Sequence, residues 1–199
     1  MKTIYLIRHG EIEGGKPRRF IGRTDLPLTA AGREQVGSLG RLLCTQNIER
    51  IVCSPLCRCQ ESGKLLGALR GVTIETEQKM SEIDLGDWDG LTVAEVKSMF
   101  PGEFELRGDN LAGYKTPRGE SFNDLQARTW NGFAKIIETT KSQTVVVAHA
   151  GVNRVLLCKI LGIPLGNMFR LDQDYACCNT LHVDEKGIRV GCLNRVADE

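Results

Sequence analysis

The stretch TIYLIRHGE, residues 3–11, joins a short apolar run to an arginine, a histidine and a glycine. The run Thr3–Ile7 has the branched and aromatic composition of a buried β-strand. Later in the chain TVVVAHAG, residues 144–151, repeats this pattern, with His149 directly after an apolar run. In a parallel sheet, ligands bind beyond the carboxyl ends of the strands. The two runs therefore predict strands that deliver Arg8, His9 and His149 to one edge of a sheet.

Strand-like and helix-like segments alternate along the rest of the chain. The periodicity predicts strands at Thr3–Ile7, Ile48–Cys53, Val72–Glu75, Gln143–Ala148, Thr180–Val183 and Ile188–Cys192. It predicts helices at Thr29–Thr45, Leu56–Leu69, Val93–Phe100, Ser121–Thr140 and Val152–Leu161. This order indicates an α/β fold: a three-layer sandwich whose mostly parallel central sheet has helices on both faces and an antiparallel edge from the tail hairpin. We expect one domain over residues 1–199, with a lid-like insertion around residues 100–118.

Composition narrows the class of protein. The net charge is +1, and no apolar run has the about 18–20 residues needed to span a bilayer, so we expect neither nucleic acid nor membrane as a partner. We expect a cytoplasmic location, where the eight cysteines remain thiols and serve mostly as small buried side chains. The cysteine and histidine spacings match no metal site. Residues 1–33 carry seven basic and three acidic side chains, which suits either a small anion or a solvated loop.

Five residues are expected to converge at the sheet edge. Besides Arg8, His9 and His149, they include Arg58, in the first turn of the helix after the second strand, and Glu82, after the third strand. A neutral imidazole can attack phosphorus, and guanidinium groups bind phosphate oxygens. A carboxylic acid can protonate a departing oxygen. The set therefore suits phosphoryl transfer. His182, Trp88 and Trp130 are expected to be packing residues instead.

Several blocks resemble a known family in the order in which they occur. LIRHGE at residues 6–11 is similar to the signature of the histidine phosphatase, or phosphoglycerate mutase-like, superfamily. The further blocks are residues 20–32 (FIGRTDLPLTAAG), 54–58 (SPLCR), 81–90 (SEIDLGDWDG), 117–121 (PRGES) and 148–151 (AHAG). The resemblance implies that His9 is the phosphorylated nucleophile and that Glu82 is the proton donor. It also implies that Arg8, Arg58 and His149 form the phosphate pocket and that no metal or cofactor is needed. Gly10 is expected to let the backbone approach the phosphate.

One position departs from the family pattern. Many members have an asparagine six residues after the nucleophile, where this chain has Gly15. Arg23 or Thr24 is expected to replace that phosphate donor. Arg18 and Arg19 are weaker candidates, which we expect to be solvated.

The resemblance leaves the substrate open. The acidic loop lacks the E-R-x-Y-G of mutases, and its three aspartates are expected to repel a second anion, so a phosphatase is favoured over a phosphoglycerate mutase. The GRTDLPL block and the GDWDG loop are most similar to those of α-ribazole phosphatases, and sugar-phosphate phosphatases remain alternatives. We expect a small phosphorylated metabolite as the partner and a monomer or homodimer. A purely binding role is disfavoured, because all five residues are present. The leaving group could contact Phe104, Tyr114, Lys115 or Arg118 in the lid.

Overall fold

A six-stranded sheet forms the centre of the computed structural model, which describes residues 1–14 and 17–197. Its strands are β1 (Lys2–Arg8), β2 (Arg50–Cys53), β3 (Ile74–Thr76), β4 (Gln143–Ala148), β5 (Cys178–Asp184) and β6 (Gly187–Arg195). Their order across the sheet is β3-β2-β4-β1-β5-β6. The first four are mutually parallel, and β5 and β6 pair antiparallel at one edge. The predicted mixed sheet is confirmed, although the third strand lies slightly later in the chain than expected.

Six α-helices accompany the sheet in the described part of the chain. They are α1 (Ala30–Leu42), α2 (Cys57–Ala68), α3 (Val93–Met99), α4 (Glu103–Asp109), α5 (Phe122–Thr139) and α6 (Ala150–Leu161), with short 3₁₀ turns at Gln78–Met80, Gly86–Trp88 and Leu165–Arg170. Thr29 caps α1, since its Oγ1 accepts the Gly32 N–H at 2.9 Å. The sequence pattern did not predict α4. This helix lies inside the expected lid and comes directly after Gly102, whose φ of 82° turns the chain out of α3.

The alternating side chains of β1 supply both faces of the sheet. Ile4 and Leu6 pack into the hydrophobic cluster that includes α5 and α6. Tyr5 and Ile7 pack into a second cluster, with α1 and α2. Burial of each such large apolar side chain contributes about 1.5–3 kcal/mol. Because both faces of β1 are buried in this way, a slip of one residue is strongly disfavoured and the position of the strand's end is fixed.

The register of the parallel strands brings their ends together. Arg8 is aligned with Ala148 across β1 and β4, and the His9 N–H donates to the Ala148 carbonyl at 3.1 Å. On the other side of β4, Cys53 is aligned with Val147. His9, His149 and the start of α2 therefore leave the same edge of the sheet.

Other expectations about packing are also met. Trp88 is fully buried and Trp130 packs against the same cluster. His182 lies in β5, where its Nδ1 is 3.4 Å from Thr3 Oγ1. All eight cysteines are unpaired, and five of them are buried, while Cys44 is exposed.

Within residues 1–14 and 17–197, no helix has the length and apolar character needed to cross a membrane.

Candidate active site

A pocket of about 210 Å³ lies at this edge of the sheet. Arg8, His9, Arg58 and Glu82 line it, so four of the five predicted residues meet there. The fifth, His149, is fully buried behind them, with its ring centroid 5.2 Å from that of His9. The structure thus brings all five together. A wider cleft of about 810 Å³ lies beside α1 and the C-terminal segment, away from both histidines.

His9 is held in one tautomer. Its Nδ1 lies 2.7 Å from the carbonyl oxygen of Gly10, and because a carbonyl can only accept, Nδ1 carries the proton. The Nε2 atom then holds the lone pair and has no hydrogen-bond partner among the described residues. Burial, followed by the positive charges of Arg58 and Arg8, holds the pKa of His9 well below its ordinary 6.5. His9 is therefore a neutral imidazole at neutral pH, as a nucleophile must be.

His149 has the opposite tautomer, with its proton on Nε2. Its Nδ1 accepts from Arg58 Nε at 3.2 Å, and its Nε2 lies 2.7 Å from Ser54 Oγ, to which it donates. Burial and then the positive charge of Arg58 hold its pKa well below 6.5. These hydrogen bonds require a neutral ring. The Arg58 Nε–H can only donate, so His149 Nδ1 must be the acceptor and carries no proton.

Arg8 is positioned by the segment before β5. Its Nη1 donates to the Gln173 carbonyl at 2.7 Å, and its guanidinium carbon lies 3.7 Å from the centroid of the Tyr175 ring. Its Nε is buried and has no partner in the described chain. Burial lowers the pKa of Arg8. A buried N–H without a partner is costly, so Arg8 retains a donor suited to an anion in the pocket.

Arg58 is almost wholly buried and is fixed by main-chain carbonyls. Besides its contact with His149, Nη1 donates to Thr24 O at 2.8 Å and Nη2 to Gly22 O at 2.7 Å. The carboxylate of Asp89 in turn accepts the backbone N–H groups of Gly22, Arg23 and Thr24, at 2.8–2.9 Å. Asp89 therefore holds the loop that holds Arg58.

Glu82 belongs to the loop after β3, and its side chain contacts the first turn of α6. Its Oε2 accepts the Gly151 N–H at 3.0 Å, and its Oε1 accepts the Ile83 N–H at 2.9 Å. The side chain is 7% exposed and faces the pocket. Arg128 supports this loop from below, because it donates to the carbonyls of Ser81 and Glu82. The arrangement places one carboxyl group in the lining of the pocket that Arg8 and Arg58 also line.

The glycines beside the histidines make close contact with the protein. A Cβ on Gly10 would collide with the backbone of Gly32, and a Cβ on Gly151 would collide with the carboxylate of Glu82. We expected these glycines to admit a ligand. The observed reason for glycine at both positions is the packing of protein against protein, and the role of Gly10 in phosphate binding stays a prediction.

The four candidate phosphate donors near the N-terminus lie in two different surroundings, and their roles toward phosphate stay predictions. Arg23 makes ion pairs with Asp84 at 3.0 Å and Glu120 at 3.5 Å, and Thr24 contacts Asp89 and Arg58 through its backbone. Arg18 is exposed, as expected, and Arg19 is half-buried and pairs with Glu95 at 3.2 Å; both also line the pocket. Gly15, where many family members have asparagine, lies outside the described residues.

The acidic loop is neutralised by its own contacts. Asp84 pairs with Arg23, and Asp87 pairs with Arg118. Asp89 is occupied by three backbone N–H groups. Two of the three carboxylates are therefore paired with arginines and the third is held by backbone donors, and none of them lines either pocket. Repulsion of a second anion by this loop stays a prediction.

Of the four lid residues considered, one reaches the space beside the site. Phe104 lines an outer pocket of about 460 Å³ that opens from the first. Tyr114 instead donates to Glu103 at 2.5 Å, Lys115 pairs with Asp124 at 2.9 Å, and Arg118 pairs with Asp87.

Three polar pocket residues, Arg107, Arg154 and Tyr175, were not predicted from the sequence. Arg107 and Arg154 line the outer pocket, and Tyr175 lines the inner one. Arg154 lies on α6, about one turn beyond Gly151, and helical periodicity could have suggested it. Tyr175 reaches the site through a turn that ends at Ala176, which has a φ of 53°, and nothing in the local pattern signals this.

No group of three histidine, cysteine, aspartate or glutamate side chains within residues 1–14 and 17–197 is arranged to hold a metal ion. The pocket itself presents a buried neutral imidazole together with arginines and one carboxyl group. The sequence profile of the histidine phosphatase superfamily (branch 1) matches residues 4–196. The chain belongs to this superfamily.

Three of the similar proteins match this chain over most of their length. The adenosylcobalamin/alpha-ribazole phosphatase of Escherichia coli K12 is 26% identical over 192 residues, which cover 96% of this chain and 95% of the relative. Phosphoserine phosphatase 1 of Hydrogenobacter thermophilus is 27% identical and covers 94% and 89%. The solved structure of a mycobacterial glucosyl-3-phosphoglycerate phosphatase with VO₃ has a TM-score of 0.86 at 26% identity, covering 98% and 99%. This histidine phosphatase is therefore an enzyme of a family whose relatives are named as phosphatases for different substrates.

Proposed function

We propose that this histidine phosphatase hydrolyses a small phosphorylated metabolite through a phosphohistidine intermediate on His9. The observation that carries the proposal is the tautomer of His9. Nδ1–H is committed to the Gly10 carbonyl, so the lone pair on Nε2 belongs to a ring that lines a pocket with Arg8 and Arg58.

The geometry supports a reaction in two halves. Nε2 of His9 attacks phosphorus while the bond from phosphorus to the ester oxygen breaks, and the protonated carboxyl of Glu82 gives its proton to that oxygen. Water then attacks the phosphorus, Glu82 takes the proton from the water, and the bond to Nε2 breaks to release phosphate. Arg8 and Arg58 offset the negative charge of the transferring group in both steps. His149 supports the phosphate side of the site through Arg58.

α-Ribazole 5′-phosphate is the first candidate substrate in this proposal. It is supported by the sequence blocks and by the named activity of the Escherichia coli relative. The alternatives are a sugar phosphate and the mutase reaction of phosphoglycerate. We further propose that residues 100–118 act as a lid over the leaving group. A cytoplasmic location is part of the proposal, since eight unpaired thiols suit a reducing compartment.

Hydrolysis of p-nitrophenyl phosphate tests the reaction class. The wild-type protein should hydrolyse it, and His9→Ala should lower kcat by about three orders of magnitude or more. Activity should persist after exhaustive chelation, because arginines supply the positive charge. A large loss that Mg²⁺ or Zn²⁺ restores would contradict the mechanism. A panel of phosphomonoesters that includes α-ribazole 5′-phosphate then ranks the substrates.

A further inference from the structure

The outer pocket is continuous with the pocket around His9. The two share the lining residues Arg18, Arg19, Ile21, Glu82 and Ala150. Glu82 thus stands at the junction between them. If its carboxyl group protonates the departing oxygen, the alcohol part of the substrate must extend into the outer pocket. The lining of that pocket therefore carries information about the leaving group.

Aromatic rings form much of the outer wall. Phe20, Phe104, Phe122 and Phe169 all line it. The centroids of Phe122 and Phe169 are 6.0 Å apart, and those of Phe20 and Phe104 are 6.4 Å apart. Rings in this arrangement pack well against a planar or apolar body.

Two arginines are stacked on these rings. The guanidinium carbon of Arg107 lies 5.6 Å from the ring centroid of Phe20 and 5.5 Å from that of Phe122. The corresponding carbon of Arg154 lies 5.4 Å from the centroid of Phe169. Stacking of this kind orients a guanidinium group and leaves its N–H edges free to donate.

Neither arginine has an acidic partner in the described part of the chain. Arg154 donates through Nε to the Leu171 carbonyl at 2.8 Å, and Arg107 makes no hydrogen bond or ion pair with any described residue. Both side chains are half-buried, and burial lowers the pKa of each. For Arg154 the nearby charge of Arg8 adds to this effect, and the more distant carboxylates of Glu82 and Asp172 oppose it. A half-buried cation with no carboxylate in ion-pair contact has lost hydration and gained little, so an anion bound there would be stabilising.

The charge of the whole lining has the same sign. Four arginines (Arg18, Arg19, Arg107 and Arg154) face the outer pocket, against the single acid Glu82. Arg19 is already paired with Glu95 at 3.2 Å. The positive charge that remains exceeds what one transferred phosphate in the inner pocket requires.

We propose that Arg107 and Arg154 bind a second anionic group, a carboxylate or a phosphate, on the alcohol part of the substrate. The apolar or planar body that carries this group lies against the phenylalanine rings. This proposal rests on the proposed function, phosphomonoester hydrolysis at His9. It assigns the enzyme to phosphomonoesters with an acidic leaving group. It therefore ranks neutral alcohols below them, including α-ribazole, which the sequence blocks alone place first.

A matched pair of substrates tests the preference. 4-Carboxyphenyl phosphate and 4-carbamoylphenyl phosphate have the same shape and differ by one charge. The amide withdraws electrons more strongly than the carboxylate, so leaving-group chemistry alone favours the neutral substrate. We expect kcat/KM to be about 10- to 100-fold higher for the carboxylate, as for a charge-assisted hydrogen bond.

Two variants locate the effect. Arg107→Gln and Arg154→Gln should each lower the carboxylate-to-amide ratio of kcat/KM, and the double variant should bring it close to one. Lys141→Gln is the control. Lys141 is exposed and precedes the amino end of β4, whereas the site lies beyond the carboxyl end of that strand. This control removes one positive charge and should keep the ratio. Thermal unfolding confirms that each variant is folded.

Hydrolysis of p-nitrophenyl phosphate separates the two levels of the proposal. If the wild type hydrolyses it but shows no carboxylate preference, or if the arginine variants keep the preference, the second anion site is wrong and phosphomonoester hydrolysis stands. If p-nitrophenyl phosphate is not hydrolysed, the proposed function fails. Equilibrium binding of 4-carboxybenzylphosphonate and 4-carbamoylbenzylphosphonate then decides on the second anion site, since it requires no turnover. Equal affinities would overturn that site.

Discussion

His9 and His149 are neighbours with different available nitrogens. The Nδ1–H group of His9 donates a hydrogen bond to the Gly10 carbonyl, and its Nε2 atom has no hydrogen-bond partner among the described residues. His149 has both ring nitrogens engaged, by Arg58 and by Ser54. A nucleophile needs an unengaged lone pair, whereas a supporting residue does not. The hydrogen bonds therefore distinguish the roles of two residues that the sequence presents in almost the same context.

This difference predicts where phosphate is trapped. Brief reaction with a radiolabelled phosphomonoester, followed by an alkaline quench, should yield an acid-labile phosphohistidine at His9. Peptide mapping locates the label, and His9→Ala should abolish it. His149→Ala should still label at His9, more slowly, because only the orientation of Arg58 is disturbed. Label on His149 or on a serine would reverse the roles.

Glu82 is expected to matter most when the leaving group is poor. Its carboxyl group stands between the two pockets. General acid catalysis is worth about 10²–10⁴-fold, and p-nitrophenol hardly needs it. Glu82→Gln should therefore lower kcat/KM by about two orders of magnitude or more on an alkyl phosphate and by much less on p-nitrophenyl phosphate.

Asp84→Asn provides the matched control for Glu82. Asp84 lies two residues further on, but its carboxylate pairs with Arg23 and accepts the Gly86 N–H at 3.0 Å. It should show no dependence on the leaving group. Equal losses on both substrates for Glu82→Gln would mean that this residue positions phosphate or the loop.

The predictable part of the site comes from strand ends and family blocks. Arg8, His9 and His149 were predicted because parallel strands in register bring the residues at their carboxyl ends to one edge of the sheet. Arg58 and Glu82 required the adjoining helix start and loop. Tyr175 and Arg107 could not be predicted in this way, because their positions depend on a left-handed turn and on a helix within the lid.

Several blocks between the secondary-structure elements act as supports for the site. Glu120 pairs with Arg128 at 2.8 Å and accepts the Asp84 N–H at 3.0 Å, so it joins the start of α5 to the loop of Glu82. Asp89 likewise fixes the loop of residues 22–24, because its carboxylate accepts the backbone N–H groups of that loop. The Gly22 and Thr24 carbonyls of the same loop accept hydrogen bonds from Arg58. Residues that line neither pocket can therefore be required for the geometry of the active site.

Asp89→Ala tests this support. The change leaves three backbone N–H groups without their acceptor, and the loop should no longer fix Arg58. We expect kcat/KM on p-nitrophenyl phosphate to fall by about 10- to 100-fold and the inhibition constant of inorganic phosphate to rise. Asp87→Ala is the control in the same loop, since Asp87 pairs with the exposed Arg118. Similar losses in both variants would contradict the support role of Asp89.

The whole architecture was predictable to the extent that periodicity encodes it. Buried runs flanked by helices gave the order of elements and the parallel sheet. The segment at residues 103–109 lacks a clear apolar stripe and has no fully buried residue, so its helix carried little signal. The neutralisation of the acidic loop was also hidden, because its partners come from distant parts of the chain.

The buried histidines make the stability of the molecule depend on pH. In the folded state, burial and nearby arginines hold the pKa of His9 and of His149 well below 6.5. In the unfolded chain both rings take up a proton near pH 6.5, so the unfolded state binds more protons as the solution is acidified. Folding stability is therefore lost as the pH falls below about 6.5.

Between pH 8 and 5.5, the free energy of unfolding should fall by about 2–3 kcal/mol from these two groups together. Urea unfolding at a series of pH values measures this fall. Replacement of either histidine by alanine should remove about half of it, because each ring contributes one proton. Carboxylates are largely ionised throughout this window and do not imitate the effect. A free energy of unfolding that stays constant from pH 8 to 5.5 would show that the folded protein accommodates charged imidazoles. The neutral His9 on which the nucleophilic mechanism depends would then lose its physical basis.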